Sequence, residues 1–516
     1  MTSAPAQPAG DDIAALARGG RTNFFGFVIR LVARLPFLFI AGHWYGAEIL
    51  GRFAYAVIVM ELAAQLATMG LKRGLAQQLS TTDKPHVCIV WDGLLAAFIA
   101  SAAASAILMM FPQAMFPRGD VYGADWLLPL VIFGIAGADV ALAALAYRHD
   151  VAATVQVRAI VEPWTISIAA GLLWYFSARD GLIIAYVVSV VAGLAAAMWR
   201  LLWSYGRPHG WKPNPAEILW TARRNIPLAA ADAIEWGSRR LDIAILGLFV
   251  SPAVVGIYYI AQNIASLPQK LKTSFDPILA PVITQKLAEG DRPAVARQVR
   301  QVGFWIIAAQ AGIALALGIP GEAIMGLFGE GGAFVSGTAA LTFLLAAEVV
   351  AATAVVSEAA LVYVARHRNL LISLLMLGVQ AALTLTVILL LENVALPLTP
   401  TQIEAWQGAG AALALMLALG LASILKARLL CRLLDAPVQG WRWPLIWAAA
   451  AAVVVGFAAV QLPTWAQLAL GIPAIMTAFG ITVWYRGFTD EDRVLFKMRK
   501  REEPTLPPPG TGPTIP

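Results

Sequence analysis

Long apolar runs separated by short polar connections dominate the sequence. Runs of about 20 residues are long enough to cross the ~30 Å hydrocarbon core of a bilayer as helices. This pattern predicts fourteen spans, at 22–42, 49–70, 88–111, 124–147, 156–177, 181–203, 224–249, 253–272, 301–320, 336–363, 370–391, 407–428, 442–461 and 466–485. Residues 1–20 lack the apolar core of a signal peptide, so we expect the first span to be retained.

Composition supports a membrane protein and excludes several other classes. The chain is 59% hydrophobic and 13% charged, whereas a soluble domain is about 45–50% apolar and ~25% charged. Its two cysteines cannot build a disulfide framework. We find no Walker-type glycine loop, no His/Cys metal spacing and no nucleophile elbow, so no enzyme and no metal site is predicted.

Lys and Arg accumulate on cytoplasmic loops of membrane proteins, and this rule orients the predicted spans. With the N-terminus inside, thirty of the 37 basic residues fall on inner segments. The outer side holds three, which are Arg52, Arg118 and Arg179. A miscounted span would invert every later loop and remove this asymmetry. We therefore predict fourteen helices with both termini in the cytoplasm, and the net charge of +6 does not indicate nucleic-acid binding.

An internal repeat divides the predicted helices. LGRFAYAVIVMELAAQLATMG (50–70) aligns without gaps with VGIYYIAQNIASLPQKLKTSF (255–275), with Gly51 matching Gly256. Parallel halves around a central substrate site are a recurring transporter plan. The sequence predicts an all-α polytopic membrane protein with fourteen transmembrane helices, arranged as two six-helix lobes related by a parallel pseudo-twofold repeat, plus two C-terminal helices. The predicted parts are a cytoplasmic tail (1–21), an N-lobe (22–205), a C-lobe (222–434), two trailing helices (441–486) and a partly disordered, Pro-rich cytoplasmic tail (487–516).

The seventh span carries charges that a membrane helix normally avoids. The segment RNIPLAAADAIEWGSRRLDIAILGLFVS (224–251) contains Asp232, Glu235, Arg239, Arg240 and Asp242. All except Arg240 share one helical face, because they are spaced by three and four residues. A charge at bilayer depth costs several kcal/mol, with estimates from about 2.5 upward, and usually marks a functional site.

The first span repeats this feature with Arg30 and Arg34, four residues apart on one face. In the repeat register Arg30 corresponds to Asp232, as expected for opposing walls of a polar cavity. Three readings stay open: the charges pair with one another, the arginines snorkel to the surface, or they line a wet cavity for an anion. Further intramembrane acids, each a coupling-ion site or an ordinary paired group, are Glu61, Asp139, Glu162, Glu348 and Glu358.

The N-terminal run LARGGRTNFFGFVIRLVARLPFLFIAGHWYGAEILGRFAYAVIVMELAAQLATMGLKRGLAQQL (16–79) resembles polysaccharide-export flippases of the Wzx type. These belong to the multidrug/oligosaccharidyl-lipid/polysaccharide exporter superfamily. The resemblance implies translocation of an undecaprenyl-pyrophosphate-linked oligosaccharide from the inner to the outer leaflet through a cavity between two lobes. It also implies that cationic residues of the first and seventh helices bind the pyrophosphate, here Arg30, Arg34, Arg239 and Arg240.

We therefore expect a flippase that works by alternating access without covalent chemistry or a bound cofactor. Coupling to Na⁺ or H⁺ is left open, with the acids Asp232, Glu235, Asp242, Glu61, Glu348 and Glu358 as candidates. The expected partners are the lipid-linked glycan, membrane lipid and polysaccharide polymerase or export proteins. The alternatives are a cation-coupled drug or metabolite exporter of the same superfamily and a membrane-embedded polysaccharide-assembly enzyme. A scaffold in an export complex is a further option.

Overall fold

The fold is all-helical throughout the part of the chain that the structure describes. That structure is a computed structural model, and it describes residues 35–81, 84–273, 283–287, 289–394, 397–489 and 492, which contain no strand. The predicted first span falls mostly outside this set, and so do Arg30 and Arg34. The two predicted tails, 1–21 and most of 487–516, also lie outside it.

Fourteen helices are labelled α1 to α14 in chain order, preceded by residues 35–45, which end the first predicted span. They are α1 (Gly46–Ala67), α2 (Leu71–Ser80), α3 (His86–Met110), α4 (Val131–Tyr147), α5 (151–174), α6 (Gly181–Tyr205), α7 (Pro215–Phe249), α8 (Pro252–Thr273), α9 (Arg292–Gly318), α10 (Thr338–Val364), α11 (Arg366–Asn393), α12 (Pro400–Leu434), α13 (Pro444–Val460) and α14 (Thr464–Gly487). Shorter helical turns connect several of them.

Local sequence determines where several helices begin. Asn214, Asp291 and Thr399 each accept a hydrogen bond from a backbone N–H of the first turn that follows, in α7, α9 and α12 respectively. Each of these helices also has proline in its first turn, where the missing N–H costs nothing. The unpaired backbone N–H groups at these three helix starts are therefore partly satisfied by the local sequence.

Ten helical segments are long and apolar enough to cross a membrane, judged by length and composition within the described residues. Helices α7 and α8 are not among the ten, and α7 is the helix with five charged residues in its apolar part. The protein is thus a multi-pass membrane protein, as the hydropathy pattern predicts. The number of fourteen spans stays a prediction.

Three sequence-based boundaries differ from the structure. The helix α2 was not predicted, because its polar sequence LKRGLAQQLS reads as a loop. Helix α7 begins at Pro215 rather than near residue 224, so its first turns extend beyond the apolar run. Helix α9 begins at Arg292 rather than near residue 301, because Asp291 caps a helix that continues into the apolar span.

The predicted lobes meet where α1 packs against α8. A Cβ atom on Gly51 would lie 1.6 Å from the carbonyl oxygen of Pro252 and 2.6 Å from the nitrogen of Gly256. A Cβ on Gly256 would lie 2.1 Å from the carbonyl oxygen of Ala47. In membranes, where lipid is as apolar as leucine, small residues of this kind allow helices to approach closely. Backbone therefore rests on backbone at this crossing, which we call the glycine crossing.

The trailing helices α13 and α14 pack against each other and against α9. A Cβ on Gly312 of α9 would lie 3.0 Å from the ring of Phe479, and one on Gly456 of α13 would lie 2.7 Å from Ile319. Buried side chains of α9, α10, α12, α13 and α14 form one continuous apolar cluster. The last two helices are therefore attached to the second predicted lobe.

Candidate functional site

The charged face of α7 lies at the boundary between the predicted lobes. We call the end of the bundle with Arg73 the inner end and the end with Arg52 the outer end, following the orientation predicted from loop charge. Helix α7 packs on α11 and also contacts α1, α2 and α3. Its charged residues are therefore placed to interact with the first half of the chain.

The two acids nearest the inner end bind an arginine from α2. Nε of Arg73 lies 2.8 Å from Oδ1 of Asp232, and Nη2 of Arg73 donates to Oε2 of Glu235. Asp232 is buried, and its Oδ2 has no hydrogen-bond partner among the described residues. Half of the Arg73 side chain (47%) is exposed. A single guanidinium thus bridges α2 and α7.

Arg240 connects α7 to the middle of α1. Its Nη1 donates to Oε1 of Gln262 at 2.6 Å, and its Nε lies 3.9 Å from Oε2 of Glu61. The Arg240 and Glu61 side chains are 21% and 33% exposed, so both remain within reach of solvent. This pair forms a second bridge between the halves, near the middle of α1.

Asp242 is fully buried and serves a local structural role. It accepts hydrogen bonds from the hydroxyl of Tyr258 at 2.5 Å and from Nε2 of Gln262 at 3.1 Å. Both donors lie on α8, so Asp242 fixes α8 against α7 and orients the same Gln262 that binds Arg240. These donors already meet the hydrogen-bonding requirement of the buried Asp242 carboxylate.

Arg239 differs from its neighbours. It is exposed, and its guanidinium has no hydrogen bond or ion pair within the described part of the chain. It lies seven residues from Asp232, which places both on one helical face about 10 Å apart along the axis. The acids of α7 therefore do not neutralise its arginines: Asp232 and Glu235 bind Arg73 instead, and self-pairing within α7 is not observed among these residues.

The other predicted acids are accounted for by separate contacts. Arg158 of α5 binds Asp139 and also Glu162, whose Oε1 lies 2.6 Å from Nη1. Glu358 of α10 lies 3.0 Å from Nζ of Lys426 on α12, a lysine that is almost fully buried. Loop charge assigned Arg158 and Lys426 to inner connections, whereas the structure places both in ion pairs inside helical segments. Glu348, also on α10, is half-buried.

The outer end contains the three arginines predicted there. Arg52 of α1 binds Asp125 and donates to the carbonyl of Asp120 at 2.6 Å. Arg118 reaches from the connection after α3 to the carbonyl oxygen of Phe249 at the end of α7. A cavity of about 30 Å³ remains between these groups and the glycine crossing, which is space for a few water molecules at most. The outer end is therefore closed to a sugar.

Sequence reasoning missed a buried acid near the C-terminal end of the described chain. Asp492 accepts hydrogen bonds from Arg442 at 2.6 Å, from Nε1 of Trp305 at 2.9 Å and from Thr489. Burial alone would raise the pKa of Asp492, but the hydrogen bonds from Arg442 and Thr489 outweigh it and hold that pKa below its usual value. The local sequence FTDEDR resembles any polar tail, so only the tertiary partners reveal this contact.

The described residues contain no group of three or more His, Cys, Asp or Glu that could hold a metal ion. The charged groups near α7 are the arginines Arg73, Arg239 and Arg240 and the acids with which Arg73 and Arg240 interact. Arginine binds carboxylate or phosphate oxygens in pairs. Of these arginines, only Arg239 presents a guanidinium without a partner among the described residues.

Solved structures show the same fold. The inward closed conformation of the lipid II flippase MurJ matches with a TM-score of 0.64 at 11% identity, covering 92% of this chain and 99% of that chain. An inward-facing multidrug resistance MATE family transporter of the MOP superfamily matches with a TM-score of 0.58 at 14% identity, covering 82% of this chain and 95% of that chain. A MATE structure in complex with MaL6 gives 0.56 at 12% identity, covering 83% and 100%.

No curated protein matches the sequence significantly. Residues 47–315, more than half of the chain, match the family described as "Polysaccharide biosynthesis protein". The solved structures confirm, in fold, the resemblance to exporters of the multidrug/oligosaccharidyl-lipid/polysaccharide superfamily. The chain belongs to the polysaccharide biosynthesis protein family.

Proposed function

We propose that this protein is a flippase that moves an undecaprenyl-pyrophosphate-linked oligosaccharide from the inner to the outer leaflet of a bacterial inner membrane. One observation carries the proposal: Arg239 is exposed, has no partner among the described residues and lies on the α7 face that borders the other half of the molecule. An uncompensated guanidinium at this depth is costly unless it serves a ligand. A diphosphate supplies the paired oxygens that a guanidinium binds.

The proposed mechanism is alternating access. The diphosphate head enters from the inner end, and Arg239 and Arg240 replace the hydration that it loses, together with Arg30 and Arg34 of the first span. The polyprenyl tail stays in lipid near α13 and α14. Separation of the glycine crossing then opens the outer end, where the cavity is now too small to pass a sugar. Both chain termini face the cytoplasm, and polysaccharide polymerase or export proteins receive the product.

The drug-exporter alternative requires acids that are available to a proton, Na⁺ or a cationic drug. Asp232 and Glu235 are bound to Arg73, and Asp242 is satisfied by Tyr258 and Gln262. This occupancy favours the anionic substrate over the cationic one. Purified protein that binds a soluble cationic dye in competition with protons would instead support the exporter.

The test is flipping of a fluorescent undecaprenyl-diphosphate oligosaccharide in proteoliposomes. We expect Arg239→Ala to reduce the initial rate at least about tenfold, the loss for one charge-assisted hydrogen bond or more. Arg224→Ala is the matched control, because Arg224 lies on the same helix but stacks on Trp220 and is exposed. An unchanged rate for Arg239→Ala combined with Arg240→Ala would overturn the proposal.

A further inference from the structure

The contact between α2 and α7 is more than one ion pair. The chain leaves α1 through Met69 and Gly70, which both have left-handed backbone conformations with φ of 48° and 69°. This turn presses α2 against α7: a Cβ on Gly70 would lie 2.7 Å from the nitrogen of Ala229, and one on Gly74 would lie 2.5 Å from Oδ1 of Asn225. We call this contact the inner seam.

Two acids of α7 meet two basic residues of α2 at the inner seam. Asp232 and Glu235 share contacts with the guanidinium of Arg73. Lys72 adds a positive charge that acts on Asp232 without forming an ion pair with it. Asp232 is buried and depends on that arginine, because its second oxygen has no partner among the described residues. Loss of Arg73 would therefore leave a buried carboxylate without the cation that contacts it, which is a strongly unfavourable state.

Arg73 is nevertheless reachable by a ligand. Its side chain is 47% exposed, and its Nη1 makes no hydrogen bond within the described chain. A guanidinium has five N–H donors, and the two acids engage only Nε and Nη2. This ion pair therefore keeps an unused edge of the guanidinium that a ligand can reach.

Arg73 also precedes Arg239 on the route into the molecule. It contacts Asp232, which lies about 10 Å closer to the inner end than Arg239 on the same face of α7. An oxyanion that enters from the inner end therefore meets Arg73 first. Binding a diphosphate through paired N–H groups would compete with the two carboxylates for the same donors.

We propose that Arg73 is a phosphate-operated latch at the inner seam. This inference rests on the proposed function and extends it to the entry step. The diphosphate takes Arg73 from Asp232 and Glu235, and α2 and α7 separate so that water hydrates the released acids. When the diphosphate moves on to Arg239, Arg73 binds the acids again and the seam closes behind the substrate.

The distance between spin labels at Gln77 on α2 and Arg223 on α7, both exposed, measures opening of the seam. The labels are attached to cysteines at these positions in full-length protein with Cys88→Ser and Cys431→Ser, and inorganic pyrophosphate is the probe. We expect pyrophosphate to shift the distance distribution of the otherwise unchanged protein to longer values. Arg73→Lys should raise the pyrophosphate concentration that gives half of this shift about tenfold. Lysine carries a point charge and cannot bind two oxygens in parallel as the planar guanidinium does.

Two further variants separate a latch from a static ion pair. Arg73→Gln and the pair Asp232→Asn with Glu235→Gln should show the long distance without pyrophosphate and no further shift with it. Lys286→Gln is the control, because it removes a positive charge away from the seam that pairs with Glu289 three residues later, and it should behave like the unchanged protein. A distance that pyrophosphate does not change, or an unaltered shift in Arg73→Gln, would overturn the latch.

The flipping assay distinguishes this failure from failure of the proposed function. Flipping of the labelled lipid by protein whose seam does not respond to pyrophosphate would reject the latch alone. A seam that opens with pyrophosphate in a protein that flips no lipid-linked oligosaccharide would support the latch and reject the proposed function.

Discussion

Gly51 and Gly256 contact each other across the boundary between the two predicted lobes, and they are matched positions of the repeat. The contact is reciprocal: a Cβ on Gly51 would meet the carbonyl oxygen of Pro252, and a Cβ on Gly256 would meet that of Ala47. Ala47 and Pro252 are separated by the same interval as Gly51 and Gly256. Reciprocal contacts between equivalent positions are what a twofold relation requires, so this crossing supports the predicted repeat.

A larger side chain at either glycine should push α1 and α8 apart and open the outer end. Gly51→Val and Gly256→Val each place side-chain atoms where backbone now lies, at a cost of about 1–3 kcal/mol to the closed state. We expect both variants to increase the reactivity of a cysteine placed at Tyr55, which borders the outer cavity, toward an impermeant thiol reagent. Gly378→Val is the control, because a Cβ there meets no neighbouring atom. Equal reactivity in all three variants would show that the crossing does not control the outer end.

The buried lysine of α12 makes an asymmetric prediction. Lys426 is 5% exposed, whereas its partner Glu358 is 39% exposed. Glu358→Gln leaves a buried ammonium without its ion pair and should cost about 3–5 kcal/mol. Lys426→Met removes the buried charge and leaves a carboxylate that is 39% exposed, so it should cost less, about 1 kcal/mol or below. The midpoints of thermal unfolding in detergent should fall in that order, and the reverse order would contradict the assigned burial.

Asp492 should attach the end of α14 to α9 and α13. Asp492→Asn weakens the charge-assisted hydrogen bonds with Arg442 and Trp305, and we expect a loss of about 1–3 kcal/mol in stability. Measured as a fall in the midpoint of thermal unfolding, the loss should be absent in Lys286→Gln, whose ion pair is on the surface. An unchanged midpoint in Asp492→Asn would show that the tail contact does not support the fold.

The same residue predicts a pH dependence. Because the folded-state pKa of Asp492 is lowered, its stabilisation is fully present above the unfolded pKa of about 3.9. It is lost as pH falls through the lower folded-state value. The difference in thermal midpoint between the unchanged protein and Asp492→Asn should thus be constant from pH 7 to pH 5 and shrink below about pH 4. A difference that grows on acidification would contradict the lowered pKa.

The seventh helix shows what a sequence can and cannot predict here. Its charged pattern predicts that α7 is the functional helix, because charges in an apolar run are costly wherever the run lies. The pattern did not identify the partners: Arg73 is 162 positions from Glu235, and loop charge assigns it to a connection. The left-handed turn at Met69 and Gly70 that brings α2 onto α7 has no apolar periodicity, so it left no trace in the span analysis.

For the basic residues too, the sequence pattern predicts positions but not partners. Arg240 was expected to bind substrate, but it also contacts Gln262 and Glu61 through the way that α1 and α8 pack. Arg158 and Lys426 were counted as inner residues because their spans end nearby. Tertiary packing pairs them with Asp139 and Glu358, whereas Glu162 lies one turn after Arg158 on the same helix. The predicted facing of Arg30 and Arg34 toward α7 falls outside the described residues and stays a prediction.

Accessibility of position 239 tests the central claim most directly. In protein with Cys88→Ser and Cys431→Ser, Arg239→Cys should react with a charged thiol reagent from water nearly as fast as Arg207→Cys, which lies in an exposed connection. Val454→Cys on the apolar face of α13 is the slow reference. We predict that inorganic pyrophosphate slows the reaction at position 239, with Arg240 still present to bind it, and leaves position 207 unaffected. Reaction at position 239 as slow as at position 454 would place Arg239 in lipid and contradict the account.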